Sequence, residues 1–155
     1  MKSWTVFASV WGGAALLGAA YGLGWVALPS GGAEARGTGG VRTHFSMCFI
    51  GGGYNCVVDG DTVWVEGVKI RIADIDAPET HDPRCSSEKE LGDRATLRLQ
   101  QLLNSGAVTL EAVDRDTDRY GRKLRIVDVN GESVGSTLVA EGLARAWDGS
   151  RHPWC

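Results

Sequence analysis

The chain has 155 residues, room for one compact domain plus an appendage and too few for two independent cores. Hydrophobic residues make up 43%, an ordinary globular share, and 19 acidic against 16 basic residues give a formal net charge of -3. No global positive field draws in polyanions, so a nucleic-acid partner would need a local basic patch.

After Lys2 no charged residue appears until Glu34, and the run "WTVFASVWGGAALLGAAYGLGWVAL" is apolar or small throughout. It is long enough to cross a bilayer as a helix. Two readings stand side by side for residues 1–35. One is an uncleaved anchor through residues 4–28, with Lys2 inside and Trp4 and Trp25 near the interfaces. The other is a signal peptide, with Pro29 ending the helix and Ala33-Glu34-Ala35 supplying the small-x-small cleavage pattern. Both send the remainder out of the cytoplasm, to the periplasm, the extracellular space or the outer face of a membrane. A buried core helix is disfavoured, because the run has no polar face and many glycines.

Residues 36–53 read as a glycine-rich linker and the start of a disulfide loop, and residues 54–155 as the folded domain. Cys48, Cys56, Cys85 and Cys155 form an even set that an oxidising compartment would pair in one of three ways. Cys48–Cys56 and Cys85–Cys155 are the preferred pairs, the second tying down the C-terminus. Metal binding by these cysteines is disfavoured, since no CxxC or Cys/His spacing is present.

Strands are predicted over Tyr54–Val58, Thr62–Val65 and Val68–Ala73, the last two joined by a turn at Glu66-Gly67. An irregular loop runs through Pro78 and Pro83. A helix follows, with Ser87 and Glu90 as a capping box and Leu91, Ala95, Leu99, Leu102 and Leu103 as its apolar stripe. Strands over Ala107–Val113 and Lys123–Val129, an Asn130-Gly131 turn, a short helix over Ser136–Glu141 and a last extended piece complete the order. The class is mainly β with α. Five strands and one intervening helix suit a small closed antiparallel barrel, the OB-fold plan, preceded by the N-terminal apolar helix.

A turn at Glu66-Gly67 pairs Thr62 with Arg71, Val63 with Ile70 and Val65 with Val68. Val63, Val65, Val68, Ile70 and Ile72 then form the core row, with Asp61 at its open end. Asp76 lies four residues past Ile72, about 13 Å away along a straight strand. Bends at Gly60 and Pro78 are expected to bring the two carboxylates to one point. Carboxylates so placed repel unless a hard cation joins them, and the irregular loop suits calcium better than magnesium, with the Ala77 carbonyl as a further donor. "DGD" alone is an ordinary turn; "RIADIDAPE" is more, because a turn needs neither Arg71 nor Glu79. Glu79 beside a metal suits a general base. The fork of Arg71 suits phosphate oxygens. In "DRYGRKLR", Arg119, Arg122, Lys123 and Arg125 suit phosphate too, although for that run taken alone a charged edge strand is the better explanation. His81 near the acidic loop reads as a surface histidine, and Trp147 and Trp154 as packing under the C-terminal disulfide.

"VVDGDTVWV", "RIADIDAPET", "DRDTDRYGRKLR" and "LVAEGLARAW", in this order with a helix between the second and third, resemble the staphylococcal nuclease (thermonuclease) family over most of Tyr54 to Trp147. The resemblance implies a calcium-dependent OB-fold phosphodiesterase acting on DNA and RNA. It makes Asp61 and Asp76 calcium ligands, with Asp59 acting through water. Ala77 stands where the family usually has threonine, but the family uses the main-chain carbonyl there. Glu79 becomes the catalytic carboxylate, Arg71 and Arg122 the groups on the scissile phosphate, and Tyr120 and Lys123 contacts to bound nucleotide. The expectation is an exported or membrane-anchored, monomeric, calcium-dependent nuclease. The alternative is a non-catalytic OB-fold module of the envelope that binds nucleic acid or glycan; such modules typically lose the acidic ligands, which this chain keeps.

Overall fold

The computed structural model describes residues 40–49 and 52–155. The apolar N-terminal segment and most of the glycine-rich stretch lie outside these residues. Among the described residues, no helix is long and apolar enough to cross a membrane.

The hairpin at the centre forms as its sequence requires. β3 (Thr62–Val65) and β4 (Val68–Ile72) pair antiparallel, with Thr62 opposite Arg71, Val63 opposite Ile70 and Val65 opposite Val68. Glu66 and Gly67 both take positive φ (49° and 79°), the two-residue turn whose twist matches the strands it joins. Val63, Val65, Ile70 and Ile72 are buried, but Val68 is 45% exposed. The core row therefore ends one residue early, because Val68 adjoins the turn, past the elements that cover the rest.

β2 (Cys56–Asp59) pairs antiparallel with β3, and β1 (Ser46–Met47) runs parallel to β2. β6 (Val108–Thr117) pairs antiparallel with β7 (Lys123–Val129), and β8 (Glu132–Ser133) adds to β7 beyond a left-handed Asn130-Gly131 turn. The five longer strands are those expected, giving a mixed α+β, OB-like fold. The expectation of a closed, wholly antiparallel barrel needs two corrections. β4 meets β7 in parallel, and the ladder path β1-β2-β3-β4-β7-β6 stays open between its ends among the described residues. A separate two-stranded ladder joins β5 (Ile75–Asp76) to β9 (Arg145–Ala146).

α1 (Ser86–Leu103) buries Ala95, Leu99 and Leu103, as the apolar stripe predicts. Its start differs. Cys85, not Ser87, is the N-cap, and no side chain caps it there. Buried Glu88, three residues on, accepts from the backbone N–H of Arg84, the residue before the N-cap, at 2.7 Å, a bond that replaces the expected capping box. α2 (Val134–Ala140) begins earlier than predicted because Ser133 caps it, accepting from Ser136 N at 3.1 Å.

The folded unit also begins before Tyr54. Phe45 is fully buried in the core, and the Asn104 side chain both accepts from its N–H (2.8 Å) and donates to its carbonyl (2.9 Å). Both preferred disulfides are present, Cys48–Cys56 and Cys85–Cys155.

Candidate active site

Arg71 is the pivot. It alternates with Ile70 and Ile72, so it points to the face opposite the core row, and it is nevertheless only 6% exposed. A second layer therefore covers that face: the acidic loop after β4, its β5–β9 ladder, and the C-terminal tail. The chain reverses across the guanidinium, and Arg71 Nη2 donates to the Ile75 carbonyl at 3.2 Å.

Asp61 and Asp76 converge on that guanidinium. Arg71 Nη1 abuts Asp61 Oδ2 without the alignment of a hydrogen bond, and Nη2 lies 3.4 Å from Asp76 Oδ1. The Ala77 N–H donates to Asp61 Oδ2 at 3.0 Å, and Thr62 Oγ1 to Asp61 Oδ1 at 3.0 Å. Gly60 permits the approach in a way not anticipated. Its φ is not left-handed; a Cβ there would stand 2.8 Å from the Cβ atoms of both Ala77 and Ala95. The missing side chain lets the Asp59–Asp61 turn pack on the acidic loop and on α1. Gly92 does the same from the helix, where a Cβ would meet the Pro78 carbonyl at 2.8 Å.

Asp59 accepts from the Asp61 N–H at 3.2 Å. Burial pushes its carboxyl above the usual range, against the lowering effects of Thr62, Arg71 and Arg122. Arg122 approaches from the turn before β7, donating from Nη1 to Thr62 Oγ1 at 3.3 Å. Its orientation depends on Asp118, which accepts from Arg122 Nε (2.6 Å), Arg122 N (3.0 Å) and Tyr120 N (2.9 Å). The Asp118-Arg119-Tyr120-Gly121 spacing is a β-turn signature, and that signal in the sequence was available to find Asp118. Tyr120 is 69% exposed, with the Arg119 and Arg122 guanidinium groups 4.8 and 5.5 Å from its ring centre. Lys123 is turned to another partner, Asp116 on β6.

Glu79 sits at the rim, its Oε1 2.5 Å from Arg151 Nη1. Trp154 donates from Nε1 to Asp76 Oδ2 at 3.3 Å. Neither tail contact was foreseen; Trp154 meets the acidic cluster as well as lying beside the disulfide. The only signal for these two is the terminal cysteine, which marks the tail as fastened without saying across what.

Three guanidinium groups (Arg71, Arg122, Arg151) thus face five carboxylates (Asp59, Asp61, Asp76, Glu79, Asp118). The remaining two negative charges match one divalent cation, and donors made of oxygen alone suit a hard one. In charge and chemistry the residues fit such an ion. In spacing, the guanidinium of Arg71 fills the gap between Asp61 and Asp76. Among the described residues, the one trio of metal-capable side chains with ligand atoms within 4.8 Å is Cys85, Glu88 and Cys155. Its two sulfurs are bonded to each other.

Residues 69–153 match the family model described as staphylococcal nuclease homologue. The chain belongs to this family. Among curated proteins it is 44% identical over 93 residues to endonuclease YncB of Bacillus subtilis (strain 168), covering 57% of this chain and 44% of the relative. The SPbeta prophage-derived endonuclease YokF of the same organism is also 44% identical over 93 residues, covering 57% and 31%. The micrococcal nuclease of Shigella flexneri is 32% identical over 104 residues, covering 59% and 55%. The chain thus spans about half or less of the length of these relatives. The matched region holds Arg71, Asp76, Glu79, Arg122 and Arg151; Asp59 and Asp61 lie upstream of the family-model match.

Proposed function

We propose that this staphylococcal nuclease homologue hydrolyses phosphodiester bonds of DNA or RNA with calcium, outside the cytoplasm, residues 1–35 serving as signal or anchor. The observation that carries the reading is the gathering of Asp61, Asp76, Arg71 and Arg122 at one end of the β3–β4 hairpin, with Glu79 at its rim. Relatives named as endonucleases support the reaction class.

Asp61, Asp76 and the Ala77 carbonyl would hold the ion, with Asp59 acting through water; when bound, it supplies positive charge to a phosphate oxygen. Arg71 and Arg122 offer forked donors to the phosphoryl oxygens and stabilise the charge that grows on them during attack. Glu79 accepts a proton from water as the water oxygen bonds to phosphorus. The ester P–O bond breaks, and the departing oxygen takes a proton from solvent. Asp118 keeps Arg122 aimed. Tyr120 offers an exposed ring on which a base can stack, a contact that tolerates any sequence.

The test is cleavage of single-stranded DNA and of RNA by the chain after Ala35, with and without calcium. Calcium-dependent cleavage abolished by Glu79→Gln is expected. Binding of equal strength with and without calcium, and no cleavage, would replace the enzyme by a binding module. Mass analysis of the native N-terminus tells signal from anchor.

A further inference from the structure

Arg151 has no role in the chemistry described so far, yet the fold goes to some length to place it. The tail is fastened on both sides of it. Upstream, the Trp147 N–H donates to the Asp74 carbonyl at 2.8 Å. Downstream, Cys155 is bonded to Cys85, and Trp154 donates to Asp76. Arg145 reinforces the same stretch, its guanidinium 3.7 Å from the Trp154 ring centre and its Nη1 donating to the Pro153 carbonyl at 3.1 Å. An exposed ion pair between Arg151 and Glu79 adds little stability on its own, so it does not account for this anchoring.

Position does account for it. Arg151 Nε lies 3.8 Å from Asp76 Oδ1, the same oxygen that Arg71 approaches from within. The three guanidinium groups form a graded series from inside to outside. The Arg71 side chain is 8% exposed, that of Arg122 18% and that of Arg151 52%. Each already has a carboxylate partner, and of the pairs Arg71–Asp61, Arg122–Asp118 and Arg151–Glu79 the last is the most exposed, the one most readily exchanged for a phosphate.

We propose that Arg151 is a third phosphate-binding guanidinium of this site, presented to the nucleic-acid backbone by the disulfide-fastened tail and exchanging its bond to Glu79 for a phosphate as substrate enters. The proposal deepens the nuclease reading and rests on it. The exchange balances: one carboxylate partner is given up for one phosphate partner, and Glu79 is left unpaired at the moment it must accept a proton. The backbone would meet Arg151 first, since Arg71 and Arg122 lie deeper.

The test is binding of a fluorescein-labelled single-stranded DNA dodecamer in EDTA, where binding is read without turnover, by anisotropy between 50 and 200 mM NaCl. Each phosphate contact to a single strand contributes about 0.7 to the slope of log K against log salt. Arg151→Gln is expected to weaken binding roughly tenfold and to reduce the slope by about 0.7. Arg151→Lys is expected to keep the slope while losing part of the affinity, a pattern that a purely structural role of the tail would not produce. Unchanged affinity and slope in Arg151→Gln would overturn the proposal. So would tighter binding, which would make Arg151 a lock on Glu79, or no measurable binding by the unaltered protein. Parallel assays with calcium separate the two readings. Cleavage by the unaltered protein with an unmoved slope sinks Arg151 alone; a moved slope with no cleavage sinks the nuclease and leaves the contact.

Discussion

Arg71→Met removes the cation from between Asp61 and Asp76 while keeping much of its volume. Both carboxylates are buried, each side chain about 7% exposed, so neither regains full hydration when the guanidinium is lost. Breaking one side of a buried ion pair costs about 3–5 kcal/mol. The remaining donors set where in that range the variant falls. Asp76 keeps Trp154 and Arg151, while Asp61 keeps only Ala77 N and Thr62 Oγ1. For a domain of this size a loss of that order lowers Tm by roughly 10–20 °C. Calcium bound between the two carboxylates would replace the missing charge, and at 100 times its Kd it would restore about 2.7 kcal/mol. The assay is thermal denaturation followed by far-UV circular dichroism, in EDTA and in calcium, for both proteins. The variant should lose stability in EDTA and gain more from calcium than the unaltered protein does. A variant melting within about 3 °C of the unaltered protein in EDTA would show that the pair is not holding the loop. Equal gains from calcium would place the ion elsewhere.

Glu79→Gln should reduce cleavage by about 100- to 10,000-fold, the range for loss of a general base, with the calcium-induced rise in Tm retained; an active variant would remove Glu79 from the chemistry. Asp118→Ala should reduce kcat/KM by roughly tenfold by freeing Arg122, and Asp118→Asn, which keeps an acceptor for the loop N–H groups, should recover part of it. Cys85→Ser with Cys155→Ser opens a bridge that spans 70 residues and should cost about 4 kcal/mol in urea denaturation, against about 2.5 kcal/mol for the eight-residue bridge Cys48–Cys56. Asp74 supplies a pH test. Burial raises its pKa, and its Oδ1 is buried without a hydrogen-bond partner. A raised carboxyl binds its proton more tightly in the folded state, so its contribution falls as pH climbs from about 4 through the raised value and is level above it. Asp74→Asn should therefore gain on the unaltered protein as pH rises from about 4; a difference that stays constant with pH would exclude Asp74 as the cause.

The hairpin register was readable residue by residue, because alternation and the Glu66-Gly67 turn leave one pairing that buries Val63, Ile70 and Ile72. The meeting of Asp61 with Asp76 was readable only as a need for a bend. What permits it, the missing Cβ atoms of Gly60 and Gly92, depends on contacts with Ala77, Ala95 and Pro78 that no local pattern encodes. Helix starts were displaced by two residues: α1 begins from Cys85, which the bridge to Cys155 holds, and α2 from Ser133, which caps it. Arg71 was assigned to phosphate from its shape. Its grip on the two aspartates follows from burial on the face opposite the core row, which alternation alone would have left to solvent. Arg151 and Trp154 were invisible as site residues, since a tail has no period and its position comes entirely from what it is tied to.

The parallel ladder of β4 with β7 bears on how the molecule is made. Its partners are about fifty positions apart with a helix between, and β5 waits still longer for β9, the last of the described strands. Pairings of such long separation form late and slowly. β9 and the tail follow every other described element in the chain, so one wall of the pocket is absent until they have left the ribosome. Premature termination just before Arg145 would leave the β3–β4 hairpin paired but deprive its acidic loop of the strand and tail that cover it.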